Sequence, residues 1–501
     1  MAKYLLGLDN GSTMIKASVF DLEGVEKGTF STLAEPFSPA PGWYERDMAE
    51  VWRANAQAIR GALAQAGASP ADVLGVSVTG HGNGAYLVDR EGRAVRNAVI
   101  GTDSRALPYL AGFEAMGYYE KFHARTMQTL WPGMSLLVLA WLRDHEPQAY
   151  ARTHSCFSVV DYIRFMLTGQ RRSELSCATS TGLLNAAEQR VDRGLLAEMG
   201  MEEAAGKLPP LVASFDPAGT VDAKGAADTG LAQGTPVFGG CFDVDAAALA
   251  TGTVDESLIT VISGTWANNQ YIGREPVVSR DLFSTTAFAR PGYYLMLEGS
   301  PTSASNLEWF VREFLRTERK QAKAEGRSVY DLCNQAVEET GAEEAGLVFL
   351  PYLFGSNTNP LAQGCLLGLQ GWHERRHIIR AIYEGICFSH RYHIEKLLRR
   401  LPAPAAARMS GGGARSRVWT QMFADVLQLP MEIPAATELG TLGAAMCAGI
   451  GAGAFRDAEE AVGRMVRVDR RVEPDPGKKA VYDRKYQRWL QAIQALDPFW
   501  Q

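Results

Sequence analysis

Three glycine-hydroxyl turns, each beside an apolar run, constrain this chain more than any other feature. They read Asp9-Asn10-Gly11-Ser12-Thr13, Ser263-Gly264-Thr265-Trp266 and Ser410-Gly411-Gly412-Gly413-Ala414-Arg415-Ser416. Glycine lets backbone N–H groups approach an anion and point at it, and a Ser or Thr hydroxyl adds a donor. One such turn is commonplace. Three, spread from end to end, predict an α/β fold in which two halves grip a nucleotide.

The surrounding pattern supports strands that feed these turns. Tyr4-Leu5-Leu6-Gly7-Leu8 reads as a buried strand, and Ile15 to Phe20 alternates as its partner, so the first turn should be the bend of a hairpin. Met48 to Ala66 reads as a helix, Val73 to Thr79 as a strand, and Leu136 to Leu142, Ala381 to Leu398 and Val418 to Leu427 as helices. Leu258 to Ile262 is a strand running into SGTW, which echoes the first block. Phe215 to Pro236, rich in Asp, Gly, Ala and Pro, reads as exposed connections. The tail from Asp469 reads as a Pro/Gly-rich loop followed by a helix. A boundary near residue 250 gives two domains, 1–250 and 251–501.

Composition excludes several classes. At 501 residues there is room for two sizeable cores, and 46% hydrophobic with 21% charged residues is ordinary for a globular chain. A net charge of −6 gives no electrostatic reason to expect nucleic acid or an anionic membrane. The longest apolar run, Met134 to Leu142, falls far short of the ~20 residues of a span. The start, MAKYLLGLD, lacks a signal-peptide pattern. Seven cysteines without a CxxC pair read as thiols in a reducing cytoplasm. His373-Glu374-Arg375-Arg376-His377 matches HExxH only formally, since it has two arginines between its histidines and no third ligand. Gly449 to Gly453 lacks dinucleotide-site spacing, and no Walker A sequence occurs.

With these motifs in order, the chain resembles the FGGY family of carbohydrate kinases, which share the two-domain actin/hexokinase-like ATPase (ribonuclease H-like) fold. Further matching segments are Pro41-Gly42-Trp43-Tyr44-Glu45-Arg46-Asp47, Thr102-Asp103-Ser104-Arg105, Leu167-Thr168-Gly169, Leu350-Pro351-Tyr352-Leu353 and Arg380 to Gly385. Gln128 to Trp131 together with Trp141 to Pro147 look most like the L-xylulose kinases. The resemblance implies ATP and Mg²⁺ in a cleft between the domains, and a small sugar or polyol as substrate. It implies no nucleic-acid or membrane partner; a homodimer is expected.

Phosphoryl transfer asks an enzyme for positioning, charge neutralisation and a base. The family's base is an Asp near mid-chain, matched here by Asp243 or Asp245; spacing to Gly252 favours Asp243, which as a bare residue could equally be a helix cap. Asp9 and Asp243 are the expected metal-facing carboxylates. Gly11, Ser12 and Thr13, then Gly264 and Thr265, are expected at the phosphates, and Gly411, Gly412, Gly413 and Ser416 at the adenosine. Lys16 reads as a phosphate contact or an exposed strand residue, and Trp266 as core. Sugar contacts are expected from His81 and Asn83 in the turn Gly80-His81-Gly82-Asn83-Gly84, from Asp103, and from Trp131 stacking on a carbon face. Packing roles compete for His81 and Trp131, a solvated loop charge for Asp103, and Asp161 reads equally as a cap. L-Xylulose on its terminal hydroxyl is the expected substrate; erythritol or another polyol, or a sugar-binding protein without catalysis, are the alternatives.

Overall fold

The computed structural model describes residues 3–344, 346–359 and 361–500, so the outermost residues of the expected 1–250 and 251–501 segments fall outside it. Two compact units emerge, and the chain passes between them repeatedly. The first comprises 1–254, 272–296 and 436–466; the second comprises 255–271, 297–435 and 467–501.

The first unit is built on a mixed sheet. β1 (Tyr4–Asn10) pairs antiparallel with β2 (Met14–Phe20), and β2 with β3 (Glu26–Leu33). On its other side β1 lies parallel to β4 (Val73–Gly80), and β4 to β5 (Pro236–Phe238) and β6 (Cys241–Phe242). Buried Leu6, Leu8, Val76, Val78 and Val237 line this core, as expected for parallel strands covered by helices. α1 (Met48–Ala66) has the bounds its pattern predicts: Asp47 accepts from the Glu50 N–H at its start, and Gly67 ends it in a left-handed conformation. α2 (Val159–Thr168) begins with a reciprocal cap in which Asp161 returns a bond to the Ser158 N–H, which settles Asp161 as a capping residue. α3 (Asp243–Thr251) follows β6 directly.

A returning helix, Leu439–Gly451, completes this unit from late in the sequence. Its small residues allow backbone-close packing. A Cβ on Gly7 would overlap the Thr441 carbonyl, and one on Gly443 would overlap Ala246. The glycine cluster 449–453 is thus the end of a packed helix and the turn after it.

The second unit repeats the layout. β7 (Leu258–Ser263) pairs antiparallel with β8 (Ala267–Gly273) and parallel with β9 (Ala406–Ser410). β10 (Met431–Pro434) and β11 (Val468–Val472) extend the sheet beyond β9. α4 (Arg375–Leu398), α5 (Arg417–Leu427) and α6 (Lys479–Leu496) belong to this unit.

Two sequence expectations change. Phe215 to Pro236 is not a run of exposed connections: Pro217–Thr220 pairs with β5, and Asp222 caps a helix at Ala223–Thr229. The tail from Asp469 begins as the strand β11, and its loop comes only afterwards. In both places an edge strand, satisfied along one side only, carries residues that otherwise read as loop.

Candidate active site

In open α/β sheets, ligands meet the carboxyl ends of parallel strands, where loops and helix N-termini converge. The first unit brings three such ends side by side. Asp9 stands opposite Thr79, and Thr79 opposite Cys241; one step on, Asn10, Gly80 and Phe242 align. From β1 emerges the DNGST turn, from β4 the GHGNG turn, and from β6 the start of α3 with Asp243. Strand register alone therefore brings Asp9 and Asp243 to one edge.

The charge of Asp9 is felt at Asp243. Burial, then the charge of Asp9, pushes the Asp243 carboxyl up to about 7, although backbone N–H bonds at the helix start pull the other way. Asp243 is the first residue of α3, and the capping position before it is Phe242. Burial likewise raises Asp9 to about 6; Lys16 opposes the rise and Glu438 adds to it. Two recessed carboxylates that both resist ionisation form a site short of positive charge. Such a donor set suits a hard cation that keeps several waters and uses one or two carboxylates. Among the described residues no cluster of three or more His, Cys, Asp or Glu could hold a metal by itself, so phosphate oxygens and water would supply the remaining ligands.

The DNGST turn closes the hairpin, with Ser12 and Thr13 exposed at its tip. Buried Arg46 donates to the Gly11 carbonyl from beneath, at 3.1 Å. Lys16 does not stand free on its strand: it pairs with Glu438 at 2.7 Å. Asp245, the rival acid, is fully buried, accepts from the Ala289 N–H, and is raised well above the usual carboxylate range by burial and Glu174.

The expected sugar contacts are largely engaged with the protein. His81 bonds the Asn83 carbonyl through Nδ1 at 3.0 Å and lies 3.3 Å from the Tyr86 hydroxyl through Nε2. Burial and Arg46 lower it to about 4, so it is neutral. Asn83 donates to Ser180 and accepts from the Ser135 N–H. Asp103 is no solvated loop charge. It is buried in an ion pair with Arg105 and accepts from the Tyr44 N–H at 2.6 Å. Trp131, half-buried, packs on Phe283 with ring centres 6.0 Å apart.

In the second unit the other two turns lie together. β7 and β9 run parallel with Ile262 opposite Ser410, so SGTW and GGGARS leave adjacent strand ends. Gly411 has a φ of 88°, and Cβ atoms on Gly411 and Gly413 would both press on Ser263. Gly412 faces open space, and Gly264 is almost as free. The three glycines therefore divide their duties: two permit packing and the middle one leaves room for a ligand. Ser416 caps α5 and donates to Asn334 at 2.7 Å. Trp266 is 41% exposed and so does not belong to the core. His377 accepts from the Glu374 N–H at the start of α4, while His373 stacks on Trp372.

Sequence reasoning missed Glu438 and Gly440. A Cβ on Gly440 would overlap the Asp9 carboxylate. No local signal marks either residue, because the returning helix reaches Asp9 only through the tertiary fold.

Two strand-and-glycine-turn units, the first with Asp9 and Asp243 at adjoining strand ends, are the layout of a nucleotide-using phosphotransferase. The family model for the FGGY carbohydrate kinases, N-terminal domain, matches residues 4–250, and that for the C-terminal domain matches 259–452. The chain belongs to the FGGY family of carbohydrate kinases, and is thus an ATP-using sugar kinase with the family's two-domain α/β fold. It is 36% identical to the L-xylulose/3-keto-L-gulonate kinase of Escherichia coli K12, across all of this chain and 98% of that protein. It is 35% identical to a probable L-xylulose kinase of Pasteurella multocida, across 98% of this chain and 99% of that one. The crystal structure of xylulose kinase from Rhodospirillum rubrum superposes with a TM-score of 0.91 at 30% identity, covering 99% of this chain and all of that one. No helix among the described residues is long and apolar enough to cross a membrane.

Proposed function

We propose that this kinase transfers the γ-phosphate of ATP to the terminal hydroxyl of L-xylulose, with Asp243 as general base. The observation that carries the reading is the Asp9–Asp243 pair at adjoining strand ends, in a chain similar over its full length to L-xylulose kinases. Asp243 opens α3, where it can take the proton from a sugar hydroxyl as the oxygen attacks phosphorus. Asp9 and Asp243 would hold Mg²⁺, which when bound supplies charge neutralisation for the phosphates. Gly11, Ser12 and Thr13 offer backbone and hydroxyl donors to phosphate oxygens, as do Gly264 and Thr265. Gly412 gives the adenosine an open backbone face, beside Gly411, Gly413 and Ser416. His81, Asn83, Asp103 and Trp131 shape the sugar pocket, the first three chiefly by holding its walls. The reading fits a protein acting on a small sugar in the cytoplasm.

The test is sugar-dependent ADP release with ATP and Mg²⁺ across ketopentoses, aldopentoses, sugar acids and polyols. A dominant response to L-xylulose that disappears in Asp243→Asn, with ADP binding retained, is the expected result. A stronger response to another sugar overturns the substrate; full activity in Asp243→Asn overturns the base.

A further inference from the structure

Beneath the SGTW turn, all within the second unit, lies a chain of buried polar side chains that phosphoryl transfer does not itself use. Ser263 Oγ is 3.2 Å from Ser303 Oγ, and Ser303 Oγ is 3.0 Å from His390 Nε2. His390 Nδ1 is 2.8 Å from Asn269 Oδ1, and Asn269 Nδ2 donates to the Glu298 carbonyl at 3.2 Å. Ser263, Ser303, His390 and Asn269 are all essentially inaccessible.

The direction of every bond follows from the last one. Because Asn269 donates through its nitrogen, its oxygen must accept, so His390 carries its proton on Nδ1. Nε2 is then an acceptor, Ser303 donates to it, and Ser263 donates to Ser303. Burial lowers His390 to about 3, and the nearby His393 adds to the effect. Around this histidine, Glu298 is paired with His393 and Lys396, so the other titratable groups on that side are already matched.

Ser303 is fixed by this chain and in turn fixes the turn above it. Its N–H donates to the Thr265 carbonyl at 3.0 Å, the Ala304 N–H donates to the Gly264 carbonyl at 2.9 Å, and Ser305 Oγ also reaches the Thr265 carbonyl. In a trans peptide the C=O and the following N–H point in opposite directions. Tying back the carbonyls of Gly264 and Thr265 therefore turns the N–H groups of Thr265 and Trp266 to the other side. Those are the donors a phosphate would meet.

We propose that Ser303 and His390 are positioning residues for nucleotide phosphate: they aim the backbone donors of the second turn without touching the nucleotide. Ser263, on which Gly411 and Gly413 press, extends the same support to the third turn. The inference rests on the reading of SGTW as a phosphate turn. It makes a specific demand, that loss of the clamp weaken ligands carrying phosphate beyond the first and leave adenosine recognition alone.

The experiment is calorimetric binding of AMP, ADP and a non-hydrolysable ATP analogue, with Mg²⁺, to the full-length protein and four variants. Ser303→Ala removes one hydroxyl but keeps the backbone bonds. His390→Leu removes both ring bonds, and His390→Gln restores one. We expect Ser303→Ala and His390→Leu to weaken ADP and the ATP analogue by roughly tenfold, with AMP changed less than about twofold and partial recovery in His390→Gln. An unchanged ADP affinity, or equal loss for AMP and ADP alongside a lower melting temperature, overturns the proposal. Should His390→Leu fail to fold, Ser303→Ala decides alone. Gly264→Val, which fills the open face of the turn, separates the two levels. If it leaves ADP binding intact, the phosphate reading fails and the clamp with it; if it weakens ADP while Ser303→Ala does not, only the clamp fails.

Discussion

The first and second glycine turns share a layout but differ in what surrounds them. The DNGST turn is set in charge: Asp9 and Asp243 at the strand ends, Lys16 paired with Glu438, and Arg46 under the Gly11 carbonyl. The SGTW turn rests on neutral groups, Ser303, a histidine lowered to about 3, and Asn269. In a recessed site, charge acts strongly but must be compensated, whereas a neutral hydrogen-bond chain fixes geometry with little desolvation cost. The difference fits a division of labour under the proposed function. The first turn handles charge that moves during transfer, and the second holds phosphate still.

The largest test of that contrast is Asp243→Asn. It should lower turnover by about 10³-fold or more while ADP affinity, read by calorimetry, stays close to wild type. Asp9→Asn should follow at roughly 100-fold in turnover, accompanied by a higher Mg²⁺ requirement. Equal losses from Asp9→Asn and Gly264→Val in both turnover and ADP binding would erase the distinction between the turns. Gly440→Ala is subtler. Its methyl group must displace the Asp9 carboxylate, and a loss of about tenfold in kcat/KM with little change in melting temperature is expected.

The smallest test concerns stability. A buried neutral histidine binds protons less readily than the unfolded chain, so folding weakens as pH drops below the usual 6.5 and continues to weaken towards the folded value. At pH 5, His390 and His81 should each take about 2 kcal/mol from stability. His390→Gln should flatten the acid limb of melting temperature against pH, and an unchanged limb would show that the ring is not held neutral.

Much of this arrangement is legible in the sequence, and the reason is locality. A strand followed by Gly-Ser-Thr announces its turn within a dozen residues, and α1 announces both ends through Asp47 and Gly67. Asp9 could be named from the Gly-Ser-Thr turn it leads into, whereas Asp243 could be named only through the family resemblance and its spacing to Gly252. What escaped is what depends on distant segments. Asp103 is locally an acid in a loop with Arg105 two residues on, and only the fold brings the remote Tyr44 N–H and the burial that make it an internal strut. Ser263, Asn269, Ser303 and His390 come from separate elements, and nothing in their neighbours predicts their bonds. Pro217–Thr220 escaped for another reason: an edge strand needs no strong strand formers, so its composition remains that of a loop.

The returning helix Leu439–Gly451 bears on how the molecule is made. It packs against β1, β4 and α3, yet more than 180 residues separate it from Asp243, the first residue of α3. A ribosome releases the first 254 residues well before this helix exists, so the nascent first unit waits with one face of its sheet uncovered. Contacts this remote in sequence slow folding and leave apolar surface open to association in the interval. A chain cut before residue 436 would keep both carboxylates and every glycine turn, and still lack the helix that closes over Asp9. Under the proposed function, competence for chemistry is therefore acquired late in synthesis, when a short segment near the end of the polypeptide comes back to its beginning.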